Sequence, residues 1–201
     1  MKLPSTLFVG PKTSRAIPAH LPFRRDFLIQ STLDGAVRRL EFHPALRVGD
    51  AIERVDGVVV DSDIGRHAVD FVDARPESDP LGHSLMDLAF AEGCDGIVVV
   101  TADDVRREPR LSLCREVWRH HRTRVHTDDR AQILGALENE GPIPMRALAG
   151  LVDTPRDLPS VVFALACTAE IEFDLRLPMS DRSIVRLGMR SFPAARLAYG
   201  T

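Results

Sequence analysis

The residue types that could carry out chemistry are concentrated between positions 55 and 76. Asp56 opens one β-patterned run, Val55-Asp56-Gly57-Val58-Val59-Val60, and a second run, His67-Ala68-Val69-Asp70-Phe71-Val72, leads into Asp73-Ala74-Arg75 before Pro76. Side chains two apart on a strand share a face, so a strand continued to Arg75 sends Val69, Phe71, Asp73 and Arg75 one way and Asp70, Val72 and Ala74 the other. A carboxylate and a cation then leave the strand together beside an apolar floor. That combination suits phosphodiester hydrolysis, in which a hard divalent cation such as Mg²⁺ or Mn²⁺ needs oxygen ligands and a nearby positive charge steadies the reacting groups. The same acids also have a purely structural reading, as residues that flank a turn and a strand end.

Positioning these groups requires a hairpin. Asp61-Ser62-Asp63-Ile64-Gly65 is a good connector between the two apolar runs. Upstream, residues 22–30 read as a short helix, Leu33-Asp34-Gly35 as a turn, and residues 37–42 and 50–60 as β-structure. Downstream, Leu81, Leu85, Leu88 and Ala89 have helical spacing within residues 80–91, with Gly93 as the stop. Gly96-Ile97-Val98-Val99-Val100 is a continuous apolar run, as expected of a strand covered on both faces. Thr101 then caps a helix with Asp103 and Asp104 in its first turn, and residues 111–121 form another around Leu113, Val117 and Trp118.

The motifs and their order resemble the PD-(D/E)xK nuclease superfamily and, within it, the TnsA-like transposon endonuclease subunits. Arg25-Asp26-Phe27-Leu28 followed by Leu40-Glu41-Phe42-His43-Pro44 resembles the family's N-terminal block, and Val98 to Arg106, with Pro109 and Leu111, its last core strand and following helix. The resemblance covers roughly residues 20 to 125. It implies an α/β fold with a restriction-endonuclease-like core, a mixed sheet flanked by helices. It places Asp56 at the first acid, Asp73 at the second and Arg75 at the lysine, making these three the candidate catalytic residues and the two aspartates the ligands of Mg²⁺ or Mn²⁺. Asp70 offers an alternative alignment, as the first acid, which leaves the Glu-x-Lys strand missing. Where the family has a helical glutamate this chain has Arg24, with Asp26 about half a helical turn away. A guanidinium stays charged and is a poor base, so the resemblance implies metal-dependent DNA cleavage that is weak or lost. The alternatives are a non-catalytic adaptor binding DNA or a recombinase, and a winged-helix transcriptional regulator.

Residues 106–124 concentrate Arg106, Arg107, Arg110, Arg115, Arg119, Arg122 and Arg124 against Glu108 and Glu116. Arginines on one face neutralise phosphates, so the first six are the candidate DNA contacts, a solvated helix being the plainer explanation. From Thr127 the pattern changes to helices over 128–140, 145–151 and 157–168 and a hairpin from Glu170 to Leu187. Three helices and a hairpin resemble a winged-helix domain, but the third helix has no basic side chain and the hairpin opens with Glu170, Glu172 and Asp174. A groove-reading helix needs polar and basic groups, so this unit is expected to bind protein or pack on the core.

The domain expectation is therefore an arm over residues 1–20, a nuclease-like domain over 21–126 and a winged-helix-like domain over 127–201. In the 201 residues, 44% are hydrophobic and the formal net charge is −3, so any nucleic-acid surface is local rather than global. Lys2 and Lys12 are the only lysines. Cys94, Cys114 and Cys167 form no CxxC pair, which fits a reducing cytoplasm and disfavours a zinc site or disulfide scaffold. No run approaches the roughly 20 apolar residues of a membrane span. The expected setting is cytoplasmic and bacterial, in transposition or recombination, with DNA and a transposase or recombinase as partners. Oligomeric state is not legible.

Overall fold

A hairpin of two long strands forms the backbone of the sheet. In the computed structural model, which describes residues 7–75 and 77–188, two short strands, β1 (Leu7–Phe8) and β2 (Ile17–Pro18), precede helix α1 (Pro22–Leu33). Strands β3 (Val37–Val48), β4 (Ala51–Ser62) and β5 (Gly65–Phe71) follow, then α2 (His83–Ala91) and β6 (Gly96–Val100). The sheet order is β3-β4-β5-β6, with β3, β4 and β5 antiparallel and β6 parallel to β5. The fold is α/β, a four-stranded mixed sheet flanked by helices.

The alternation of β4 and β5 gives the sheet two different faces. Phe42, Val58, Val69 and Phe71 face the main core with α1, while Val59 and Ala68 pack against Leu88 and Ala89 of α2. Strand β6 is an edge, and Ile97, Val98 and Val99 are 37%, 40% and 58% exposed. The expectation of a strand covered on both faces therefore fails, because α2 covers β5 and leaves β6 open. Thr101 closes β6 as expected, since its hydroxyl accepts from Asp104 N and the Asp104 carboxylate from Thr101 N, a capping box at the start of α3 (Ala102–Val105).

Helix α4 (Arg110–Trp118) packs on α1. After it come α5 (Thr127–Glu140), β7 (Ile143–Pro144), α6 (Met145–Leu151), α7 (Leu158–Cys167), β8 (Ile171–Phe173) and β9 (Ile184–Leu187), with sheet order β7-β9-β8. The apolar core runs without a break from Phe8 through Val58, Trp118 and Leu165 to Val185. Residues 7–20, expected as a loose arm, are docked into it: Phe8 stacks on Trp118 and Ile17 is fully buried. Burial of such side chains, at about 1.5–3 kcal/mol each, outweighs the turn-prone character of the prolines around them. Residues 1–6 of that expected arm, Pro76, and residues 189–201 of the expected C-terminal unit lie outside the described residues. No helix among the described residues is long and apolar enough to cross a membrane.

Candidate functional site

Asp56 owes its position to a bulge. His43 pairs with Gly57 and Ala45 with Arg54, so Val55 and Asp56 together oppose the single residue Pro44. Proline has no N–H to give the ladder, which makes this the place where an extra residue on the partner strand costs least. Asp56 adopts φ 49°, a left-handed conformation uncommon for a residue with a side chain. Such backbone strain concentrates at functional sites. Gly57 follows because a Cβ there would lie 2.2 Å from Leu88 Cδ2, so helix α2 closes tightly against the bulge.

The strand that carries the other acid stops earlier than its sequence suggests. Strand β5 ends at Phe71, opposite Val100, the last residue of β6, and residues 72–74 turn into a 3-10 helix. With no partner beyond Val100 the ladder has nothing to pair with, and the alternation expected to carry Asp73 and Arg75 on one face is lost. Asp73 instead turns outward, where its Oδ2 accepts a 2.6 Å hydrogen bond from Ala102 N at the start of α3. Of the three residues singled out by the sequence, Asp56 and Arg75 line one pocket and Asp73 does not.

Asp70 takes its place. It is 5% exposed, and both of its carboxylate oxygens accept from Arg75, Oδ1 from Nε at 3.0 Å and Oδ2 from Nη2. Arg75 Nη1 donates to Pro80 O at 2.7 Å, so each of its three nitrogens has a partner, and its bond to Asp70 holds its pKa above the ordinary value. The sequence did contain a signal for Asp70, a charged residue inside the apolar run Ala68-Val69-Asp70-Phe71-Val72, since a buried polar group is the informative kind of burial.

Three further charged groups complete the pocket, which has a volume of about 520 Å³. Arg54 reaches Asp56 Oδ2 from Nε at 2.9 Å and Nη2 at 2.7 Å. Asp79 caps α2, accepting from His83 N and Ser84 N at 2.7 and 3.1 Å; burial pushes its pKa up, but these donors outweigh that and hold it below the usual carboxylate value. Arg24 enters from α1 and is 6% exposed. Its Nη2 donates to the Asp56 main-chain oxygen at 2.9 Å, its Nε is buried without a partner, and its guanidinium carbon lies 5.2 Å from the Phe71 ring centre and 6.0 Å from that of Phe42. Burial presses its pKa below the ordinary arginine value, with Asp56 pulling the other way.

No family model matches the chain, and no curated protein or solved structure compared with it does either. Its chemistry has to be read from the site itself.

The pocket residues do not fit Mg²⁺ or Mn²⁺. Such an ion requires around six oxygen ligands, yet both oxygens of Asp70 and Oδ2 of Asp56 already accept from arginines, and three guanidinium groups line the same space. A second group of ligand-type side chains, Glu41, His43 and Glu92, lies near the end of α2. There Arg66 and Arg39 engage Glu41, and Arg66 and His43 engage Glu92, so each carboxylate oxygen already has a partner.

The arginines of the α3–α4 region divide into two sets. Arg106 lies 4.0 Å from Asp103, Arg107 pairs with Asp104 at 2.8 Å, Arg110 with Asp34 at 2.7 Å, and Arg115 holds the buried Asp26 with two hydrogen bonds. Arg119 and Arg122 are exposed and have no carboxylate partner among the described residues. They follow the C-terminal end of α4, where cations are favoured by the helix dipole.

Proposed function

We propose that this chain is a TnsA-like protein with a restriction-endonuclease-like core that binds DNA in a mobile-element or recombination setting, with metal-dependent cleavage weak or lost. The observation that carries the reading is the convergence of Asp56 and Asp70, from two neighbouring strands, on one rim pocket beside α1, with Asp70 bridged to Arg75. Two acids on adjacent strands of a mixed sheet, in the element order α1-β3-β4-β5-α2-β6, are what the resemblance asks of a nuclease-like core. With Asp70 as the second acid, Val72 stands where a lysine would be. The loss of that lysine, together with arginines on both acids, favours binding over cleavage.

The C-terminal helices and the β7-β9-β8 sheet are compatible with the winged-helix resemblance. Helix α7 is buried along most of its length, and the hairpin acids are paired internally, Glu170 with Arg130, Glu172 with Arg186 and Asp174 with Arg176. This supports a packing or protein-docking role for that unit, for which the reading takes a transposase or recombinase as the partner, with DNA contacting the core and its free arginines.

Incubation with supercoiled plasmid and Mn²⁺ tests the reading. The expected result is retarded DNA without nicking, identical for the wild type and Asp70→Ala. Nicking that disappears in Asp70→Ala would show a working metal site, and an absence of DNA binding at low salt would remove the reading altogether.

A further inference from the structure

We propose that the rim pocket is a metal-independent binding site for a phosphate monoester, with Arg24 as its anchor. The charges of the pocket support this by elimination. Arg75 is committed to Asp70 and Pro80 O, Arg54 to Asp56, and Asp79 to the first N–H groups of α2. That leaves Arg24, 94% buried by its 6% exposure, as the one lining guanidinium with no carboxylate bonded to it among the described residues. Its hydrogen bond goes to a carbonyl oxygen, and its Nε is buried and unpartnered. Asp56 acts on this desolvated guanidinium only at a distance, so its planar array of donors is left to an oxyanion.

The surroundings select the kind of anion. The guanidinium carbon lies over the rings of Phe71 and Phe42, at 5.2 and 6.0 Å from their centres, where cation–π attraction holds it. Gly82 and Ser84, at the start of helix α2, line the wall of the pocket, and Asp79 already caps the first N–H groups of that helix, which leaves the anion to the guanidinium. A cavity of about 520 Å³ is in the size range of small-molecule sites, and one nucleotide with its phosphate suits it better than a duplex does. The arrangement uses the fixed Arg24 guanidinium in place of a metal ion, so affinity does not depend on divalent cations. This inference rests on the geometry of the pocket, and on the proposed function only for whether the phosphate belongs to a DNA end or to a free nucleotide.

The test uses the full chain in EDTA, with deoxyadenosine 5′-monophosphate, inorganic phosphate and deoxyadenosine as probes, read by calorimetry. The monophosphate and phosphate are expected to bind, and the monophosphate at least about tenfold more tightly than the nucleoside, a difference of about 1.4 kcal/mol. Arg24→Met, which replaces a buried charge with an apolar chain of similar length, is expected to fold and to lose this discrimination. If it does not fold, the wild-type comparison decides alone. Equal binding of nucleotide and nucleoside, binding that appears only with Mn²⁺, or full binding by folded Arg24→Met would each overturn the proposal. Single-stranded oligonucleotides with and without a 5′-phosphate identify the source. Preference for the phosphorylated strand supports the pocket as a DNA-end site, whereas nucleotide binding without that preference supports it as a nucleotide site and counts against the DNA reading alone.

Discussion

Arg75 grips both carboxylate oxygens of Asp70, five residues before it, across the turn that ends β5. Because Asp70 is buried and Arg75 partly exposed, the pair is asymmetric: losing the arginine strands a charge inside, whereas losing the aspartate releases a cation to water. Arg75→Ala is therefore expected to lower the urea midpoint clearly, and Asp70→Asn in that background to recover part of the loss. Arg54→Ala, which breaks a solvent-exposed pair, is expected to change the midpoint little. Equal effects of the two arginine changes would show that the Asp70 pair is not holding the turn.

The strained bulge makes an opposite prediction. A left-handed conformation costs an L-residue roughly 1–2 kcal/mol, less for aspartate, and glycine removes that cost while adding backbone freedom to the unfolded chain. Asp56→Gly is expected to leave stability unchanged or raise it by up to about 1 kcal/mol, while Asp56→Val, β-branched at φ 49°, lowers it. Chemical denaturation of the three proteins measures this, and a clear loss in Asp56→Gly would mean that the side chain, not the backbone, holds the site in place.

Free and paired arginines should differ in their dependence on salt. Each phosphate neutralised on duplex DNA adds about −0.9 to the slope of log K against log salt. Replacing Arg119 and Arg122 by alanine is expected to reduce the slope by roughly 0.9 for every phosphate that is no longer neutralised, whereas Arg107→Ala, at a residue already neutralised by Asp104, leaves it nearly unchanged. Fluorescence anisotropy across a salt series provides the measurement, and an equal reduction in both variants would contradict the division.

Lys12 links stability to alkaline pH. Burial lowers its pKa from 10.5 to about 8, against the pull of Asp34, Glu172 and Asp63. Between those values the unfolded chain holds a proton that the folded chain has released, so stability rises with pH across the window, by roughly 3 kcal/mol at most. Below pH 8 both states carry the proton and the cost of burying the charge is constant. Burial pushes the Cys114 and Cys167 thiols up from 9.0 to about 12, which lowers stability as pH rises above about 9, so the gain from Lys12 is read between about pH 7 and pH 9, where the rise in the urea midpoint is expected to shrink in Lys12→Met. An identical pH profile in the two proteins would place the lysine in water.

What the sequence determined by itself is local. The hairpin from Ala51 to Phe71, the cap at Thr101 and the helices around Leu88, Val117, Ile133 and Val161 depend on alternation, helical spacing and capping groups within a few residues of one another. Asp56 and Arg75 line one pocket, but Arg75 reaches it through the turn over 72–74 and its bond to Asp70 rather than by strand alternation. Which second aspartate joins them was decided by tertiary structure, because the length of β6 sets where β5 stops, and ending at Phe71 breaks the alternation that would have aimed Asp73 inward. Arg110 and Arg115 are held by aspartates 76 and 89 residues away, and Arg24 becomes a buried guanidinium only once α1 lies against the bulge of β4. A periodic pattern records which face a side chain takes, whereas the charge it meets there depends on chain brought in from far along the sequence.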